Sequence, residues 1–347
     1  MPLTLASTSV VVASIPALIG FTPENSLVLI ATLTNDDGSA GTGPLTRIDL
    51  THLTRHADDC VQLFSRQCGE LAVSCVTGVV VRADDEDTAD DGALPPRADV
   101  DSVIAQLAER GFVDVDVVSV PAIAEGARWR SYRDTGRTGV LPDPASTAAA
   151  AAAIAAGHTI AASRDDLAAR FTPAPGNLRA CLQPHIADAV EHAVIDQDSN
   201  LAAHRRLARA DAAIRAACHG ELPADDAAIA DLAATFATLL FRDALLAVPD
   251  ETARLAAENL LLHLWRHTDE PIASQLATVL GIHAYLRGDG AGARIALANA
   301  DPEQPLADLL SHLLGHAVAP SKIYDLVQNG SADARRTLLS EPVPDQA

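Results

Sequence analysis

The chain is 347 residues long, enough for two domains that each bury a core. Hydrophobic residues make up 48% of it but aromatics only 3%, so those cores must be packed from Ala, Val, Leu and Ile. A formal net charge of −21 argues against a grip on nucleic-acid phosphates and against anionic membrane surfaces, because both need a positive stripe.

Residues 1–12 lack a basic leader region, and no stretch approaches the roughly 18 to 20 apolar residues of a membrane span. Neither signal peptide nor anchor is expected, and a cytoplasmic location is the default. The five cysteines, Cys60, Cys68, Cys75, Cys181 and Cys218, are scattered and include no CxxC pair, which reads as reduced structural thiols.

The stretch from Ile15 to Ile30, IPALIGFTPENSLVLI, is the predicted hub: an apolar approach, a polar turn from Thr22 to Ser26, then a second apolar run. Ser7 to Ile19 is compatible with a short helix or a strand. Ser26 to Leu33 reads as a strand buried on both faces. Thr34 to Gly43 is a polar break, and Leu45 to Leu50 a strand paired with the first. Gly38, Gly41 and Gly43 run into a strand and not a helix, so they suit a hairpin connection better than a phosphate loop.

Thr51 to Cys68 has a helical pattern with Leu53, Cys60, Val61 and Phe64 on one face; Val73 to Arg82 is a buried strand. Ala83 to Ala98 is acidic, broken by Pro95 and Pro96, and reads as a solvated loop. Val100 to Arg110 is a helix and Val113 to Val120 a strand, completing a βαβ unit with parallel pairing. In Ala127 to Pro142, Trp129, Tyr132 and the arginines Arg128, Arg130 and Arg133 are expected just beyond a strand end, where open α/β sheets place ligands. Asp143-Pro144 opens an alanine-rich helix ending at Gly157, and Ser163 caps the next. From Gln183 the periodicity is helical throughout, for six to eight helices. The predicted fold is an α/β domain over residues 1–175, with a mixed, partly parallel sheet and flanking helices, followed by an all-α domain over 176–347.

Gly20-Phe21-x-Pro23-x-Asn25-Ser26-Leu27-Val28, then Arg47-x-Asp49-Leu50 and Trp129-x-Ser131-Tyr132, resemble the actinobacterial family of domain of unknown function 4192 over nearly the whole chain. The resemblance implies provenance and domain order and brings no activity with it. The family pattern carries a cysteine-proline cluster soon after Trp-x-Ser-Tyr. Here Arg133 to Gly139 contains no cysteine, so no thiol or metal role carries over to that loop. Leu280 to Asp289, continuing through Ala293 and Ala300 to Asp301-Pro302, resembles one tetratricopeptide repeat, with Gly288-Asp289 as the tight turn.

Glu24, Asn25, Ser26, Arg47, Asp49, Trp129, Ser131 and Tyr132 are the candidate pocket residues. An arginine can hold a carboxylate or phosphate and a carboxylate can act as a base. The other reading is an internal network in which these side chains satisfy one another. Ser26 lacks a GxSxG elbow, and nothing ties His52 or His56 to it. His185, Asp188 and His192 follow at helical spacing, as do His263 with His267 and His312 with His316, but none forms HExxH, and solvated or packed histidines are expected. No catalytic set, metal or cofactor is assigned. The expectation is a cytoplasmic, non-enzymatic interaction or scaffold protein that docks a protein partner or a second copy through its helical half. The alternative is a ligand sensor or hydrolase-type enzyme taking a small molecule at the sheet edge.

Overall fold

A computed structural model describes residues 7–34, 38, 40–69, 71–82, 97–134 and 136–340. Most of the acidic segment and the first six residues lie outside that set. The chain divides into two compact units, residues 1–167 and 168–347.

In the first unit α1 (Thr8–Ile19) is a helix, the first of the two forms the sequence allowed. Ser7 caps it by accepting from the Val10 amide, and Gly20 ends it in the left-handed region at φ 82°. Then follow β1 (Ser26–Thr34), β2 (Ala40–Asp49), α2 (Leu50–Cys68), β3 (Val73–Val81), α3 (Arg97–Glu109), β4 (Val115–Val120), β5 (Arg128–Ser131), β6 (Thr138–Val140), α4 (Ala148–Ala155) and α5 (Arg164–Ala168). The strands form one sheet in the order β2-β1-β3-β4-β5-β6. Only β3 and β4, joined through α3, are parallel; every other pair is antiparallel.

Two expectations need correction. Gly41 and Gly43 belong to β2 and not to a break: β2 carries one extra residue opposite Ala31, between the pairs Ile30–Leu45 and Thr32–Thr42. A bulge at Gly43-Pro44 on an edge strand breaks the alternation that sequence patterning relies on. Trp129 likewise sits inside β5 and not beyond a strand end, with Arg128 and Arg130 outward and Trp129 and Ser131 inward.

The alternation of the strands divides the core into two layers. Leu27, Leu29, Val76, Val80 and Val117 face α2 and α3; Val28, Ile30, Val79, Val118 and Trp129 face α1 through Val11, Val12 and Ile15.

The second unit holds nine helices among the described residues, one more than the top of the expected range: α6 (Gly176–Asp196), α7 (Asn200–Ala217), α8 (Asp226–Ala237), α9 (Leu239–Ala244), α10 (Glu251–His267), α11 (Ile272–Leu286), α12 (Gly290–Leu297), α13 (Pro305–Gly315) and α14 (Pro320–Leu339). Thr238 ends α8 and begins α9, which splits what a periodicity reading merges. Buried and half-buried arginines tie the helices together. Arg206, only 2% exposed, meets Asp196 and Asp231 at 2.8 and 2.9 Å, and Arg287 bridges Glu258 and Asp289.

Candidate functional site

The carboxyl ends of the parallel pair β3 and β4 are where an open α/β sheet offers a crevice. Pairing places Ser26 beside both Asp49 and Val81, and Val81 beside Val120. The Val118–Ser131 pair then sets Trp129 level with Val120. Ser26 and Trp129 thus stand at one end of the sheet but three strand spacings apart, about 14 Å. Ser26, Arg47, Asp49, Trp129 and Ser131 share the α1 face, whereas Tyr132 packs on the opposite face with α2 and α3.

The predicted residues therefore fall into two networks on one face and a separate tyrosine. In the first, the Ser26 hydroxyl donates to the Glu24 carbonyl at 2.5 Å and accepts from Arg47 Nε at 2.9 Å. Arg47 reaches Asp49 with Nη1 at 3.3 Å and Nη2 at 2.5 Å, and its guanidinium lies 5.7 Å from the Phe21 ring centroid. Asn25 takes a left-handed φ of 42°, and its carbonyl accepts from the Leu50 amide that begins α2. Asp49 is the residue before α2 but makes no capping bond with its side chain. Arg47 holds that carboxylate instead. Glu24 and Asn25 are exposed beside this network, while Ser26 is fully buried.

In the second network Trp129 Nε1 donates to Ser9 Oγ at 2.9 Å, and Arg137 stacks over the indole at 5.6 Å. Arg137 also reaches Asp116 at 2.5 Å and Thr8 at 2.8 Å. The Ser131 hydroxyl donates to Asp116 at 3.1 Å and accepts from the amides of Arg133 and Asp134. Gly139 lies against the indole so closely that an added Cβ would stand 2.6 Å from Nε1. Sequence reasoning missed Asp116, Arg137, Ser9 and Phe21. Two of them carry a signal in the sequence: Asp116 as a polar residue at the inward period of a buried strand, and Phe21 as part of the Gly20-Phe21 motif.

Tyr132 is 1% exposed; its amide donates to the Val117 carbonyl, and its own carbonyl accepts from Arg97 Nη1 at 2.8 Å. Burial pushes its hydroxyl up to about 12, against a smaller lowering by a Ser119 hydrogen bond.

α1 links the two networks. Thr8 and Ser9 at its start join the second, and Phe21 just past its end joins the first, a span of about 18 Å for twelve residues. The helix thus lies along the face that a shared pocket would need. Among the described residues no histidine is bonded to the serine of either network; the donors and acceptors of each network satisfy one another. Among the described residues no group of three or more His, Cys, Asp and Glu could hold a metal ion. His56 pairs with Asp59 at 3.1 Å, and His192 with Asp188 at 3.5 Å. His263 Nε2 meets the Pro223 carbonyl at 2.9 Å, and the His312 and His316 rings lie 6.5 Å apart. Burial raises the Cys60 thiol to about 12 and Cys68 to about 11, which keeps both protonated and unreactive.

At the other end of the sheet a cleft of about 260 Å³ is lined by Cys68, Val73, Cys75, Arg110, Phe112 and Asp114. No helix among the described residues is long and apolar enough to cross a membrane.

No curated protein and no solved structure matches the chain. A family model matches residues 9–321, a span that contains Phe21, Arg47 and Trp129, and the chain belongs to that family, described as Domain of unknown function (DUF4192).

Proposed function

We propose that this protein is a non-enzymatic interaction or scaffold protein, in which the α/β unit is a rigid platform and the helical unit docks a partner protein or a second copy. The observation that carries the reading is where large apolar side chains meet solvent. Of the fourteen exposed large hydrophobics among the described residues, ten lie in the helical unit, three of them on α6. Single exposed apolar residues are ordinary; ten on one unit, three of them on one helix, supply apolar area on which a docking surface can draw. We also read α11 and α12 as a tetratricopeptide-like hairpin. Gly281 lets the helices close, since a Cβ there would stand 3.2 Å from Leu297, and Gly288 turns the chain at φ 85°. An actinobacterial source and a cytoplasmic location belong to the same reading.

Affinity capture from native lysate, with light scattering on the purified protein, tests the proposal. A reproducible partner or a defined oligomer is expected. A strict monomer with no partner sinks it.

The second reading is a ligand sensor or hydrolase-type enzyme at the carboxyl edge of the sheet. It is favoured by one feature: α2 begins at that edge with its preceding Asp49 held by Arg47 rather than capping the helix. A thermal-shift screen against nucleotides, phosphosugars and metal ions tests it, because a ligand selective for the folded state raises Tm.

A further inference from the structure

We infer that α6 pairs with α6 of a second copy of this chain, antiparallel about a two-fold axis between residues 186 and 187. The inference deepens the docking reading and rests on it. α6 is 21 residues long but buries only Leu182, Ile186 and Ala193, so most of its surface is left uncovered by the other described residues. Along one flank Leu178, Cys181, His185, Asp188, His192 and Ile195 follow one another at spacings of alternately three and four, and all six are exposed. That alternation is the repeat that keeps one seam of a helix turned toward a neighbouring helix.

The chemistry along the seam selects both the occupant and its direction. Antiparallel pairing about the midpoint sets Leu178 against Ile195 of the second copy, Cys181 against its His192, and His185 against its Asp188. Each contact occurs twice by symmetry. The apolar ends meet, and the polar centre brings an imidazole to a carboxylate. Leu178 and Ile195 are 52% and 66% exposed, so both have area to bury. Parallel pairing would instead set Asp188 against Asp188 and His185 against His185, like on like, which is the arrangement a specific contact avoids. Asp188 already approaches His192 of its own helix at 3.5 Å, so in the pair each carboxylate sits between two imidazoles. Two helices of this length bury on the order of 1,000 Å² together, the lower end for a specific contact.

Sedimentation equilibrium of the full-length protein up to about 100 μM, with circular dichroism to confirm the fold of each variant, tests the pairing. A monomer–dimer equilibrium is expected. Leu178→Glu and Ile195→Glu should each weaken it about tenfold or more. His185→Asp should weaken it, and adding Asp188→His should restore it to within about threefold, because the double exchange rebuilds the same contact with its members swapped. A general loss of helix packing would not be restored. A monomer throughout the range, or a dimer that ignores all these changes, overturns the pairing. If lysate capture still returns a partner that the α6 variants do not affect, docking stands and only the self-pairing falls. If neither a dimer nor a partner is found, both fall.

Discussion

Arg47 spends its donors inside the fold: Nε on Ser26, both terminal nitrogens on Asp49, and its face on Phe21. Truncation leaves a fully buried hydroxyl and a carboxylate without their partner, so Arg47→Ala should cost about 1–3 kcal/mol in urea unfolding. Arg47→Lys should recover less than half of that, because an ammonium cannot reproduce the planar fork. His283 makes the opposite case. It is fully buried in α11, and both ring nitrogens lack a hydrogen-bond partner among the described residues. Burial, with a smaller contribution from Arg254, lowers its pKa from the ordinary 6.5 to about 3. The fold accepts only the neutral ring, so this contribution is intact above pH 6.5 and is lost as pH falls from 6.5 toward 3, where only the unfolded chain takes up the proton. His283→Leu removes the proton-binding group and should shrink the stability difference between pH 7 and pH 5 by about 2 kcal/mol. At pH 7 the variant should be no less stable than the parent, since no buried hydrogen bond is lost. Parallel urea titrations of both proteins at the two pH values decide it.

Among the elements, the strands that were legible are those with long apolar runs, β1, β3 and β4, and they fixed the expectation of a mixed sheet. β2 reads short in the sequence because Gly41, Gly43 and Pro44 carry turn chemistry. On an edge strand those residues make a bulge that spoils further pairing. A Cβ at Gly43 would stand 2.9 Å from Leu33, and one at Gly139 2.6 Å from the Trp129 indole. Only the second contact is with a rigid ring already held by Ser9 and Arg137. Gly139→Ala should therefore displace the indole, costing about 1–3 kcal/mol by overpacking. Its optical signature is a shifted tryptophan emission, read best in a Trp265→Phe background so that one indole reports. Unchanged emission and stability would show that β6 yields freely and that the Trp129 network is loose.

For the molecule, fold class is readable because it rests on local periodicity, and the Arg47–Asp49 pair because alternate residues of one strand share a face, whereas the second network is not, because its partners are remote. Trp129 finds Ser9 across 120 positions and Arg137 finds Thr8 across 129, distances over which one sequence carries no pairing signal. The same holds where the two units divide. Residues 168–175 contain Phe171, whose ring meets Trp265 edge-on at 5.0 Å, and Arg170, whose carbonyl accepts from Nε and Nη2 of Arg266. The Ala174 amide donates to the Arg266 carbonyl at 2.8 Å. These contacts fasten the segment to α10, so it belongs energetically with the helices that follow. A polypeptide of residues 168–347 should fold alone, with a helical circular dichroism spectrum and one cooperative melt, because its core cluster lies wholly within it. One of residues 176–347 should keep the helices but lose about 2–4 kcal/mol, through the missing aromatic contact and the unpaired donors of a half-buried Arg266. Phe171→Ala in the longer piece should reproduce much of that loss. Equal stability of the two pieces would mean that the segment is a passive linker and that the helical unit begins at α6.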